Sequence, residues 1–380
     1  MEITPFALER YYAKHEFTAR YLLSSSDCDG LAMAELLSWA DDELRAAWDG
    51  LRLGYTESPG HPLLRAAIAL LYDGVDPDEI ITFVPEEAIF AAMNCLVRPG
   101  DHVVCTFPGY QSLYEVAVAL GAAVERWTPR EEQGWYFDPD DLAGLVGPQT
   151  RLIVVNFPHN PTGFLPCWDD LLRVIETARG AGAHLFCDEM YRFLEQDPAD
   201  RLPSAPEIYE RALSLCGVSK TYGLAGLRVG WLVTRDAALR ASLQRFKDYL
   251  TICGSAPSEI LATIALRSHG RIVARHVERI RRNMDAVERL IEAHRDRLAW
   301  VRPGAGSTCF PRLLGATGAS ELARRLLAER DVMVAPAGVF GYGDRHIRVG
   351  LGRENLPDVL AIVDDFLGDG AGRRRSVGPP

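Results

Sequence analysis

Lysine is scarce in this chain. Only Lys14, Lys220 and Lys247 occur, so 38 of the 41 basic residues are arginine. An amine can lose its proton and attack a carbonyl, whereas a guanidinium stays charged. Lys220 sits in "SLCGVSKTYGLAGLRVGW", just past a short apolar run and ahead of a glycine-spaced loop that carries Arg228. That setting suits imine chemistry at the lysine, with the arginine fork eight residues on holding an anion.

Further polar residues follow other apolar runs of the same region: Tyr110, Asn160, and Asp188 with Tyr191. An aromatic ring, an amide, a carboxylate, an amine and a guanidinium together fit one ligand, a phosphorylated pyridine aldehyde. The amine forms a Schiff base, the carboxylate keeps the ring nitrogen protonated, the aromatic stacks and Arg228 takes the phosphate. A free lysine has a pKa of about 10.4, and burial with a nearby cation such as Arg228 is expected to depress it.

These residues need strands to carry them. "HVVCTF" (102–107), "AAVERW" (122–127), "RLIVVNF" (151–157), "HLFCDEM" (184–190), "ALSLCGV" (212–218) and "GWLVT" (230–234) read as strands buried on both faces of a mostly parallel sheet. Helical patterns alternate with them in "PEEAIFAAMNCLV", "YQSLYEVAVALG" and "WDDLLRVIETARGAG". Ligands of such α/β layers bind in loops beyond the strands' carboxyl ends. From Pro257 to about Leu298 the spacing predicts one long amphipathic helix, and "VMVAPA", "HIRVGLG" and the helices around them read as a smaller α+β domain. The expected organisation is an N-terminal arm (1–47), a large domain (48–256), an interdomain helix (257–298), a small domain (299–368) and a disordered tail (369–380).

Composition excludes several classes. Apolar residues make up 48% of 380, enough for two sizeable cores, and the net charge of −11 argues against nucleic acid or an anionic membrane as partner. The eight cysteines stand singly, with no histidine cluster at ligand spacing, so neither a disulfide framework nor a metal site is expected. The Arg373–Arg375 cluster lies in a Gly/Pro-rich stretch and reads as a solvated tail. With no signal-peptide pattern and no run of ~18 apolar residues, the expectation is a soluble, cytoplasmic protein.

The motifs, in order, resemble those of fold type I pyridoxal-phosphate (PLP) enzymes of the class I/II aminotransferase group, up to about residue 368. The resemblance implies the three-layer α/β transferase fold with a mostly parallel sheet and a second, smaller α+β domain. It also implies PLP as cofactor, an L-amino acid substrate and a homodimer. In "LGYTESPGHPLLRAAIA" it gives Tyr55 as a residue reaching the partner's cofactor phosphate, and in "FPGY" Tyr110 as the stacking ring. In "NFPHNPTG" Asn160 meets the ring's 3-oxygen, and in "DEMY" Asp188 meets the ring nitrogen with Tyr191 near that oxygen. "SKTYGLAGLRVG" gives Lys220 as Schiff-base lysine and Arg228 for phosphate, and "HIRVGLG" gives Arg348 for the substrate carboxylate.

Three departures stand out. The phosphate turn reads "VPEEAIF", where Pro85 has no N–H, so the backbone of Glu86 and Glu87 must serve and the Glu side chain is expected to point away, toward solvent or substrate. Gly217 stands three residues before the lysine where a hydroxyl donor is common, leaving Ser219 to substitute. The arm "LERYYAKHEFTARYLLSSSDCDG" resembles that of the capreomycidine synthase-like branch, whose members cyclise hydroxylated arginine. On that resemblance Glu9 would meet a guanidinium, with Ser24, Ser25 or Asp27 near a substrate hydroxyl. Transamination is the family's default; elimination with ring closure is the alternative. A regulator keeping the fold without catalysis is a third reading, disfavoured because no helix-turn-helix pattern is present.

Overall fold

The computed structural model describes residues 1–372. Seven strands form the central sheet: β1 (Ile80–Phe83), β2 (His102–Thr106), β3 (Ala123–Trp127), β4 (Thr150–Asn156), β5 (His184–Asp188), β6 (Ala212–Gly217) and β7 (Gly230–Val233). Their order is β1-β7-β6-β5-β4-β2-β3. Only β7 runs against the others, pairing antiparallel with both β1 and β6. The four-residue β1 escapes a reading by apolar runs because it lies between Pro77 and Pro85 in an otherwise turn-rich stretch.

The strands are buried because successive residues serve two cores. Leu152 and Val154 of β4 face the helices Pro85–Leu96, Ser112–Ala119 and Ala237–Lys247, while Ile153 and Val155 face Trp168–Ala181. Each such side chain, fully buried, stabilises the layers by roughly 1.5–3 kcal/mol. β3 corrects the expectation of strands covered on both faces. As the edge strand it has one neighbour, and Ala123, Glu125 and Arg126 are exposed.

The single helix expected over 257–298 is two helices, Ala256–Arg267 and His269–Ala293, broken at Ser268 (φ −97°, ψ 16°). The sequence Ser-His-Gly offers poor helix formers at the break. The two halves also serve different cores. Ile260, Ile264 and Ala265 pack with the large sheet's helices, whereas Ile280, Met284 and Val287 pack with Leu326, Val359 and Val363 of the smaller unit. The stretch "VMVAPA" likewise divides: Val332–Met333 pairs parallel with Tyr21–Leu22 of the arm, and Ala335–Pro336 pairs antiparallel with Ile347 and Arg348. The last helix, Leu356–Gly372, runs into the segment expected to be a disordered tail, so 369–372 is helical backbone. The rest of that tail, with Arg373–Arg375, lies outside the described residues. No helix among the described residues is long and apolar enough to cross a membrane.

Candidate active site

Strand register sets one wall of the site. Asn156 ends β4 opposite Asp188 at the end of β5, and Asp188 in turn faces Leu215 of β6, three residues short of Val218 and the Ser219–Lys220 turn. A cavity of about 590 Å³ opens there. It collects Tyr110, Asn160, Asp188, Tyr191, Lys220 and Arg228, and also Ser219, Glu86 and Arg348. Asn156 is a member that sequence reading missed. Its amide nitrogen donates to the Asp188 carbonyl (3.0 Å) and its oxygen accepts the Asn160 N–H (2.8 Å), so it ties two neighbouring loops together. A polar residue closing the apolar run "RLIVVN" was the available signal.

Asp188 is buried, with only the Met190 N–H (3.0 Å) on its carboxylate among the described residues. Burial pushes its carboxyl up to about 7, against the opposing pull of that N–H and of Lys220. Lys220 donates to the Ser26 hydroxyl at 2.9 Å. Burial lowers its pKa, and the cation that adds to the lowering is Arg348, with Asp27 opposing. Arg228, expected in that role, instead lies exposed on the cavity rim with φ +58°, donating to the Ala225 carbonyl (3.1 Å). A non-glycine residue in the left-handed region costs of order 1–3 kcal/mol, and here it closes the short turn Ala225–Leu227.

A hydroxyl-bearing residue in place of Gly217 would crowd the neighbouring strand. A Cβ there would lie 3.0 Å from the Val229 carbonyl oxygen and 3.0 Å from Gly230 Cα across the β6–β7 pairing. Ser219 is the nearest alternative, and its buried hydroxyl has no hydrogen-bond partner among the described residues. The Tyr191 hydroxyl, beside Ser26, likewise meets none at normal geometry. At the start of the helix Pro85–Leu96, Glu86 turns into the cavity wall rather than away. It accepts from Ser112 Oγ (3.4 Å), and burial raises its pKa. Glu87 does not line the cavity; its carboxylate accepts from Thr251 (3.4 Å). Its expected contribution is confined to a backbone N–H at the helix N-terminus, where the first amides lack intrahelical partners.

The opposite wall is the N-terminal arm. Gly350 makes the docking possible: its N–H donates to the Leu23 carbonyl (2.7 Å), and a Cβ on it would sit 1.7 Å from the Ser25 carbonyl oxygen. The arm thereby lies directly on the strand that carries Arg348. Arg348 is buried, donating to the Ser24 carbonyl (3.2 and 3.0 Å), the Tyr12 hydroxyl (2.8 Å) and Asn160 Oδ1 (3.3 Å). Among the described residues no carboxylate pairs with it, a costly state for a buried cation unless an anionic ligand is to arrive. Ser25 is buried with its hydroxyl unpartnered. Asp27 lines the cavity but is held by Arg353 at 2.9 and 3.1 Å. Glu9 turns inward and accepts the Tyr110 hydroxyl proton at 3.1 Å, with the Phe6 ring 4.9 Å from that of Tyr110. Tyr55 is the outlier: 90% exposed, it stands outside its own chain's cavity.

Hydroxyls unpartnered and two arginines without carboxylate partners among the described residues, with a buried carboxyl and an amine of lowered pKa, fit a phosphorylated pyridine. These features with the three-layer sheet define a PLP-dependent enzyme of the type I transferase fold. The chain belongs to the aminotransferase class I and II family, which it matches over residues 21–361. It is 35% identical to capreomycidine synthase of Streptomyces vinaceus, over 98% of this chain and 96% of that one. Among solved structures, a PLP-dependent aminotransferase from Streptococcus suis superposes with a TM-score of 0.91 at 28% identity, covering all of both chains. The PLP-dependent cyclase OrfR does so with 0.87 at 27% identity, over 97% of this chain and 98% of that one.

Proposed function

We propose that this enzyme converts a hydroxylated L-arginine to a cyclic guanidino amino acid, by loss of water and closure of the guanidine on the chain. The observation that carries this reading is Glu9, a carboxylate from the arm that faces the cavity beside Tyr110. Glu16 and Glu86 add acidic character to the same walls, while Arg348 supplies the cation for an α-carboxylate. A substrate with a carboxylate at one end and a guanidinium at the other matches that polarity.

PLP, when bound, supplies a carbonyl that captures the substrate amine and a ring that takes up the electron pair left at Cα. Ser219, Arg228 and the backbone amides of Glu86 and Glu87 would hold its phosphate, Asp188 its ring nitrogen, and Asn160 with Tyr191 its 3-oxygen. Tyr110 would stack on the ring. Arg348 binds the α-carboxylate. Lys220, its pKa lowered by burial, takes the Cα proton, with Ser26 fixing the amine's position. That proton and the β-hydroxyl leave together as water. A guanidine nitrogen then bonds to Cβ and loses its proton, Cα regains one, and the net change is loss of a single water. Glu9 orients the guanidinium for this closure. Tyr55, exposed here, is assigned to the neighbouring subunit's phosphate site in a homodimer.

Family membership favours a second reading, transamination, which uses the same Lys220, Asp188 and Arg348. Purified protein with PLP and β-hydroxy-L-arginine, without any keto acid, should yield a product lighter by one water that no longer carries a free guanidinium chain. A keto acid product formed from arginine only when an acceptor keto acid is present would overturn the cyclase reading in favour of transamination.

A further inference from the structure

Lys220 accounts for one of three lysines, and Lys247 raises the same question. It closes the helix Ala237–Lys247 with its side chain 1% exposed, beneath the segment 56–61. Its Nζ donates to the Ser58 carbonyl (2.5 Å), the Thr82 carbonyl (2.6 Å) and the Thr82 hydroxyl (3.3 Å). Three acceptors around one nitrogen match an ammonium's three donors, where the flat five-donor fork of arginine would leave hydrogens unpaired. The Thr82 hydroxyl donates in turn to Glu259 Oε1 (3.1 Å), and Glu259 Oε2 accepts the His61 N–H (2.9 Å). Glu259 is also 1% exposed. A buried ammonium and a buried carboxylate are thus joined through one hydroxyl, and each grips an end of the same surface segment.

That segment has further fastenings. Ser58 Oγ donates to the Ile252 carbonyl (2.6 Å) and receives the Gln244 amide (2.5 Å), and the Thr82 N–H reaches the Pro59 carbonyl (2.9 Å). Immediately before it stands Tyr55, with Leu53 also 88% exposed. Across the Ser58–Ile252 link lie Tyr249 at 92% and Ile252 at 51% exposure. Two buried charges are a large desolvation cost to place under a surface segment. They fasten that segment directly after the exposed ring of Tyr55.

We infer that Lys247 is a positioning residue for Tyr55: through Ser58 and the Thr82–Glu259 relay it fixes the angle at which Tyr55 is presented to the site of a second copy of this chain. The inference rests on the dimer reading above. It explains a lysine that takes no part in the chemistry of its own subunit's cavity.

The test is a mutant cycle read out by cofactor affinity. Apoenzymes of the wild type, Tyr55→Phe, Lys247→Met and the double variant are titrated with PLP, with solution mass and thermal melting followed alongside. Tyr55→Phe should weaken PLP binding on the order of tenfold, the loss of a hydrogen bond to a charged group. Lys247→Met should weaken it by a similar factor in a dimer, and the double variant should be no weaker than either single. Multiplying factors, or a melting temperature that falls while PLP affinity holds, would overturn the assignment. Should Lys247→Met fail to fold, Thr82→Val removes only the relay hydroxyl. It should weaken PLP binding several-fold in the wild type and not in the Tyr55→Phe background, and equal effects in both backgrounds would overturn the proposal. Unchanged affinity in a dimeric Tyr55→Phe variant would instead defeat the cross-subunit reading on which the inference stands.

Discussion

The two walls of the cavity are built differently. Asn156 and Asp188 stand at the ends of adjacent strands, so backbone pairing fixes their separation before any side chain makes a contact, and Lys220 lies in the turn just past the next strand. Glu9, Tyr12 and Ser24 to Asp27 come from an arm whose place depends on tertiary contacts, with Gly350 against Ser25 and Tyr12 against Ser24. The strand wall carries groups that any PLP reaction of an amino acid needs. The arm wall carries Glu9, proposed to select the side chain, beside Ser26 and Tyr12, which hold Lys220 and Arg348. The proposed division gives the common chemistry to the strand wall and the choice of side chain to Glu9 on the arm.

The largest effect should come from the strand wall. Lys220→Ala removes both nucleophile and proton carrier, and turnover should fall by at least ~10⁴-fold with every substrate. PLP should still bind, weakly and without the absorbance of its lysine adduct, while circular dichroism stays that of the wild type. If turnover of one amino acid survived, the strand wall would not be common to all substrates.

Asp188→Asn should follow, costing roughly 10²–10³-fold in kcat. Its pH signature is separable from the rate. In the apoenzyme the Asp188 carboxyl is pushed up to about 7 by burial, from an ordinary value of 3.8. Between those values the unfolded chain has lost the proton that the folded chain keeps. The group's contribution to stability is therefore full below about 3.8 and is lost as pH rises through about 7. A ring nitrogen paired with the carboxylate removes that penalty. The rise in melting temperature on adding PLP should thus be larger at pH 8 than at pH 5, and the difference should shrink in Asp188→Asn. An unchanged difference would show that Asp188 is not opposite the ring.

What could be read in the sequence divides along the same line. β2 and β4 to β7 were visible because strands buried on both faces are continuous apolar runs, and the polar residues following them were then readable as a set. The arm gave no such pattern. Glu9 stood out only by resemblance, and Ser26, which holds Lys220, was one of three serines that periodicity could not rank. Tyr12 was missed because its role depends on Arg348, 336 residues away in sequence. The Ser268 break escaped for a related reason: residues 259–266 are buried all round while the helix His269–Ala293 is amphipathic, and which core each half serves is decided by packing.

On the arm wall, Glu9→Gln should raise KM for guanidino substrates by about tenfold, the charge-assisted part of one hydrogen bond, and leave PLP affinity unchanged. Amino acids without a cationic side chain should be unaffected. Equal losses for both groups would make Glu9 a support for Tyr110 rather than a selector.

The smallest effect separates the arm's two duties. Tyr12 accepts from Arg348 Nη2 at 2.8 Å and donates to the Ser24 carbonyl at 2.5 Å, and its ring lies 5.8 Å from the guanidinium carbon. Tyr12→Phe keeps the ring and its cation–π contact but deletes one acceptor of a buried guanidinium, a loss of about 1 kcal/mol, or roughly fivefold in KM. Because Arg348 is proposed to meet the α-carboxylate that every amino acid carries, the rise should be the same for guanidino and plain substrates. The contrast with Glu9→Gln is then in pattern rather than size. A rise confined to guanidino substrates would place Tyr12 with Glu9 in side-chain selection and leave Arg348 held in place by Ser24 and Asn160 without it.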